Sequence, residues 1–256
     1  MKKYLSLAMA ILMTMTLVAC GGEEQNNQAV ATVVPGKLIV ATEAGFAPYE
    51  YMVGDEVVGV DMDIAKAIAD KLGVELEIAN MDFDACVPAV QSGKADIVLA
   101  GLSISPERAE QVDFSDMYVN SKEVVVVNAN APAVTEATSN AIMDKIVAVQ
   151  QGNMADFWVT DLGIEPQRYT KFAQAGEDLK NGRIDCIVMD EAPANELVAG
   201  SDGALIVIAG DPLFEDAYAA AVNKENAELL KIVNEVINEL KASGKMDEIM
   251  AAHVSA

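Results

Sequence analysis

One segment of this 256-residue chain gathers several functional groups in a short stretch. In Ala100–Ser115, AGLSISPERAEQVDFS, an apolar run ends at Gly101. A hydroxyl follows at Ser103, and Arg108 sits in the first turn after Pro106. Glycine lets a ligand approach the main chain, and serine both donates and accepts. A guanidinium grips a carboxylate through two parallel hydrogen bonds. The chemistry this suggests is carboxylate binding. A competing reading makes Arg108 a solvated partner of Glu107 or Glu110, since arginine is mostly a surface residue.

Other chemistries find less support. The single histidine, His253, lies at the C-terminal tail, where a Ser-His-Asp triad or a multi-histidine metal centre is hard to build. Beside Cys20, only Cys86 and Cys186 remain, too few for a cysteine-only zinc site or a disulfide scaffold. No metal and no cofactor is expected. Lys plus Arg number 17 against 40 Asp plus Glu, for a formal net charge of -23. That balance argues against binding a nucleic-acid backbone.

The N-terminus predicts export. Lys2 and Lys3 precede an apolar run from Leu5 to Leu17, of signal-peptide length and short for a membrane span. The run ends in Leu17-Val18-Ala19-Cys20, followed by two glycines, and resembles a bacterial lipobox. Residues 1–19 would be a lipoprotein signal peptide, with lipidation at Cys20. Two acyl chains anchor stably where one is marginal. Residues 20–36 read as a polar, flexible tether. Loss of residues 1–19 removes Lys2 and Lys3 and no acid, moving the formal charge from -23 to -25.

The elements behind these residues alternate strand and helix. Lys37–Thr42 and Asp96–Ala100 read as buried strands, and Glu50–Val60 as a hairpin turning at Gly54-Asp55. Asp61 is placed as the cap of a helix that Gly73 stops. A second block repeats the pattern: strands at Ile146–Val149, Tyr169–Phe172, Asp185–Met189 and Ala204–Ile208, with helices between. Tyr218–Val222 reads as a strand, and Glu225–Ala242 as an amphipathic helix. The fold class predicted is α/β, with mostly parallel sheets in two lobes and a ligand crevice beyond the strand ends. Cys86 and Cys186 fall in different lobes and are expected as buried free thiols.

Six motifs in order resemble the extracellular solute-binding proteins of polar amino-acid ABC importers, including glutamine-binding and lysine/arginine/ornithine-binding proteins. They are KLIVATEAGFAPYEY, VGVDMDIAKAIADKLGVELE, MDFDACVPAVQSGKADIVLAGLSISPERAEQVDFSDMY, VAVQQGNMADF, LKNGRIDCIVMDEAPA and INELKASGKMDEI. The resemblance covers nearly the whole mature chain. It implies a periplasmic-binding-protein-like fold, with lobe one formed by 37–119 and 219–256 and lobe two, with hinge strands, by 120–218.

The resemblance also assigns roles. Arg108 would hold the α-carboxylate of a free amino acid, with Ser103 and the Gly101 backbone adding hydrogen bonds. Gly152, Asn153 and Met154 would form the helix N-terminus of lobe two, whose amides and dipole suit a carboxylate. Asp190 would neutralise the α-ammonium, and Phe46 and Phe83 would stack on the side chain. Glu43 would lie near the ligand side chain, where the family often has Asp. The simpler alternatives are core packing for the two phenylalanines, helix capping for Asp190 and solvation for Glu43. Asn153-Met154 replaces the usual hydroxyl-bearing pair, His253-Val254 replaces a usual Trp-Phe, and Tyr218-Ala219 a usual Tyr-Gly.

The implied function is a lipid-anchored receptor outside the cytoplasmic membrane. It would bind a polar or cationic L-amino acid and deliver it to the permease of an ABC importer, as a monomer with no nucleic-acid partner. Cyclohexadienyl dehydratases are similar to these receptors. An enzyme of that kind would need an acid, for which Glu43 is the candidate. A ligand-sensing lipoprotein is the third possibility.

Overall fold

The structure, a computed structural model, describes residues 30–254. The signal segment, Cys20 and most of the tether lie outside the described residues. Short unbroken runs of Val, Ile and Leu build two main sheets. The first has the order Glu75–Asn80, Lys37–Thr42, Ile97–Val98, Ala221–Val222, Asp113–Phe114. The second has the order Gln167–Tyr169, Val147–Gln150, Cys186–Asp190, Val119–Asn128, Leu205–Val207. Phe214–Tyr218 also pairs with Val119–Asn128.

The runs are unbroken because both faces of each sheet are covered. Leu38 and Val40 join one apolar cluster while Ile39 and Ala41 join another on the opposite face. In the second sheet Val124 and Val126 point to one side, Val125 and Val127 to the other. Helices supply the cover. Ala227–Ala242 buries Leu229, Val233, Val236 and Ile237, at 3.6-residue spacing, against Val60–Leu72 and the first sheet. Each such side chain contributes about 1.5–3 kcal/mol when fully buried.

The sheets are less parallel than the alternation predicts. Lys37–Thr42 pairs parallel with both neighbours, and Val147–Gln150 does likewise. Ala221–Val222 runs antiparallel in the first sheet, and Val119–Asn128 antiparallel to all its partners in the second. The antiparallel strands are those by which the chain enters and leaves the second lobe, so they run against the strand-helix-strand units.

Three local expectations also need correction. Tyr218–Val222 is two strands, since Phe214–Tyr218 ends in one sheet and Ala221–Val222 begins in the other. Tyr169–Phe172 is a strand only to Tyr169, and Phe172 opens the helix Phe172–Lys180. Asp61 caps no helix: Gly59 stands at the cap, and the Asp61 carboxylate turns inward to accept from the Gly101 amide at 2.8 Å and the Tyr118 hydroxyl at 2.8 Å. Gly73 does stop that helix, in the left-handed conformation. Cys86 and Cys186 are buried and free, and burial raises both thiols, Cys186 to about 12.

Candidate functional site

Residues from five strand ends converge between the lobes. Glu43 follows Lys37–Thr42, and the Gly101–Ser103 turn follows Ile97–Val98. In the second lobe Gln150 ends Val147–Gln150, Asp190 ends Cys186–Asp190, and Lys171 follows Gln167–Tyr169. These are the carboxyl ends of parallel strands in both sheets, where open α/β sheets bind ligands. The two sets of ends meet. Gln150 donates to Glu43 at 3.1 Å, Gln151 to Asp84 at 2.6 Å, and Arg108 to the Gly152 carbonyl at 2.9 Å.

Arg108 is 6% exposed, which removes the solvated-partner reading. Ser105 caps its short helix, accepting from the Arg108 amide at 3.2 Å, so the turn after Pro106 is fixed. The guanidinium donates to the Ser103 carbonyl at 2.6 Å as well as to Gly152. Its central carbon lies 5.4 Å from the Phe83 ring centre and 5.9 Å from that of Phe157. Phe83 therefore backs the cation. Burial lowers the Arg108 pKa to about 10, opposed by Asp216 and Asp190, so the group is charged at neutral pH.

Opposite charge faces it. Asp190 caps no helix with its side chain, which removes the capping reading. Its carboxylate accepts from Ser121 at 2.6 Å and from the Tyr218 hydroxyl. Glu123, Asp190 and Asp216 bring carboxylate oxygens within 4.8 Å of one another, and among the described residues they are the group able to hold a cation. Glu123 stands opposite Asp190 in register on the neighbouring strand. Burial first, then the Asp216 charge, raises Asp190 to about 7. Burial and the same neighbours raise Glu123 well above its usual range, and burial raises Asp216 against the opposing Arg108 charge. Three carboxyls packed this way favour protonation, or a cationic partner.

The third corner is Glu43, 1% exposed rather than solvated. One oxygen accepts from Gln150, and the other lies 3.4 Å from the Lys171 ammonium. Burial raises its pKa despite Lys171. Phe46 is buried in a ring cluster that spans the lobes: Phe172 lies 6.0 Å away and stacked, with Tyr49 at 5.9 Å and Tyr218 at 6.3 Å. It is thus both a core aromatic and a wall beside Gly101.

Three expected backbone donors are occupied. The Gly101 amide is spent on Asp61 at 2.8 Å, leaving its carbonyl. The Gly152 amide donates to Asp156 at 2.9 Å, and the Asn153 amide to the Gln150 carbonyl at 3.2 Å. Asn153 itself caps the helix Met154–Asp161, accepting from the Asp156 amide at 2.8 Å. The Asn153 substitution thus retains a cap in place of a hydroxyl, and the amides of Met154 and Ala155 remain at the helix mouth. Sequence reasoning missed Gln150, Lys171, Phe172, Ser121, Glu123 and Asp216 as site neighbours. Each is an ordinary residue type, and only the convergence of strand ends brings it in.

Residues 38–256 match the profile of the bacterial extracellular solute-binding proteins, family 3. The arginine-binding extracellular protein ArtP of Bacillus subtilis is 29% identical over 97% of this chain and 96% of its own length. A crystal structure of a mutant of the arginine-binding protein ArgBP from T. maritima superposes with a TM-score of 0.82 at 38% identity, covering 86% of this chain and 96% of that one. An ancestral arginine-binding protein, solved with glutamine bound, gives 0.79 at 36% identity, with 86% and 98% covered. These relatives are binding proteins, not enzymes, and their two-lobed α/β architecture is the one seen here. With the profile matched over nearly all the described residues, this chain belongs to family 3 of the bacterial extracellular solute-binding proteins.

Proposed function

We propose that the chain is an exported lipoprotein receptor that binds one polar or cationic L-amino acid between its lobes and delivers it to an ABC importer. Residues 1–19 would direct export and Cys20 carry the lipid. Residues 37–119 with 219–256 would form lobe one, and 120–218 lobe two. The observation that carries the reading is the pair Arg108 and Asp190. A buried guanidinium follows a strand of one sheet and a buried carboxyl ends a strand of the other, and an ammonium beside Asp190 would keep it ionised.

An α-amino acid offers the complementary pair on one carbon. Arg108 would take the α-carboxylate with help from the Ser103 hydroxyl and the Met154 amide. Asp190 would take the α-ammonium, with Glu123 and Asp216 deepening the negative potential. Each lobe then supplies one half of the recognition, so binding favours closure of the hinge. The side chain would run past Phe46 toward Glu43. The named relatives are arginine-binding proteins, one of them holding glutamine, which fits a polar or cationic side chain.

The test is a thermal-shift panel of amino acids on protein lacking residues 1–19. A ligand at 100 times its dissociation constant adds about 2.7 kcal/mol of stability. At least one polar or cationic amino acid is expected to raise the melting temperature. No shift with any amino acid overturns the reading.

A further inference from the structure

Glu43 is held in an unusual balance. It is 1% exposed, and its pKa is raised by burial although Lys171 lies nearby. One carboxylate oxygen, Oε2, is satisfied by Gln150 at 3.1 Å. The other, Oε1, is buried and accepts no hydrogen bond. Lys171 approaches that oxygen to 3.4 Å as an ion pair without hydrogen-bond alignment. Beside Oε1 is the bare face of Gly45, where a Cβ would stand only 2.9 Å away. Oε1 is thus a buried acceptor whose hydrogen-bonding capacity is unused while the lobes are together.

The two partners differ in freedom. Glu43 comes from lobe one and is enclosed. Lys171 comes from lobe two and its side chain is 45% exposed. Its four-carbon stem lets the ammonium reach water, so it can withdraw when another cation takes its place at Glu43. The pair forms only when the lobes meet. Lys171 therefore acts as a resident counter-ion for Glu43, in the place where the end of a ligand side chain would reach.

From this geometry we propose that Lys171 is a specificity-determining residue: it competes with a cationic ligand side chain for Glu43 and tilts the cleft toward neutral polar side chains. A neutral amide or urea group can donate to Oε1 while Lys171 stays and supplies the charge. A guanidinium or ammonium must displace Lys171, or share one carboxylate with it at a cost in repulsion. The inference rests on the amino-acid receptor reading and adds to it the residue that sets the balance between the two ligand classes.

The experiment compares wild type, Lys171→Met and Lys171→Gln by calorimetric titration, using the best-bound cationic and best-bound neutral amino acid of the panel. L-arginine and L-citrulline serve as a near-isosteric pair where both bind. Both variants are expected to raise the cationic-to-neutral affinity ratio at least tenfold. If wild type binds one class only, cationic affinity should rise at least fivefold, or neutral affinity stay level or fall. In a Glu43→Gln background the same Lys171 substitutions should change the ratio less than twofold, a coupling that a purely structural role would not produce. An unchanged ratio, or equal changes for both ligands, overturns the proposal while leaving the receptor reading intact. A wild type that binds no amino acid overturns both.

Discussion

Arg108 keeps a charge where water is nearly absent, and two carbonyls and two aromatic faces hold it there. Neither carbonyl carries a full negative charge, and Asp216 and Asp190 act on the guanidinium through space, with no hydrogen bond to it. Buried charge of this kind is costly unless a counter-ion arrives. A carboxylate at Arg108 supplies one through short charge-assisted bonds. Arg108→Ala is expected to weaken amino-acid binding at least 100-fold, in the range for losing one partner of a buried charge pair. The variant should still fold, because the cavity left is bordered by the Phe83 and Phe157 rings. Calorimetric titration checks it, and binding within threefold of wild type would remove Arg108 from the site. The capped turn that carries Arg108 was legible in the sequence because cap, proline and arginine are local. The ammonium-binding role proposed for Asp190 comes from the family resemblance, since nothing local marks it. The partners of Asp190, Ser121 and Tyr218, lie 69 and 28 positions away in the sequence, and 97 from each other.

At the scale of elements, the turn after Ile97–Val98 shows how backbone shape delivers chemistry. Gly101 has φ of +54°, and a Cβ there would lie 2.5 Å from the Phe46 ring. Its amide is tied to Asp61, which is itself buried beside Glu50. The turn is thus set from behind by an acid and in front by an aromatic. Gly101→Ala is expected to destabilise the fold by about 2 kcal/mol or more, combining left-handed strain with overpacking. Urea unfolding would measure it; a midpoint equal to wild type would mean that Phe46 yields freely and does not fix the turn. Most elements here were legible because apolar runs and glycine stops are local signals. The misreadings share a cause. Asp61 has the right type and place for a cap, yet its side chain serves a contact 40 residues away. Tyr218–Val222 looks continuous because both halves are buried, although the hinge divides them between two sheets. Tertiary placement decides such cases, and propensity does not carry it.

For the whole molecule, the acidity that the composition announced divides into two populations. Most carboxylates are on the surface, where a net charge of -23 makes them repel one another. A smaller set is buried near the cleft and hinge, and burial lifts these above the usual carboxylate range: Asp61 to about 6, Asp190 to about 7, and Glu43, Glu50, Glu123 and Asp216 in the same direction. Linkage fixes the sign. A carboxyl whose pKa is higher folded than unfolded binds more protons in the fold. Its stabilising effect is therefore complete below an unfolded value of about 4 and is lost as pH rises through the folded value. Without added amino acid, the melting temperature is expected to fall as pH rises from about 5 to about 8. Surface repulsion pushes the same way, but salt separates the two. At 1 M ionic strength the Debye length is about 3 Å, so exposed repulsion is screened while the buried groups are screened far less. The slope should persist in high salt, shrink in Asp190→Asn, and flatten with a saturating amino acid whose ammonium keeps Asp190 ionised without penalty. A melting temperature that is level or rising across that interval in high salt would mean that the buried carboxyls are compensated in some other way, and the ammonium would then have no deficit to repair at Asp190.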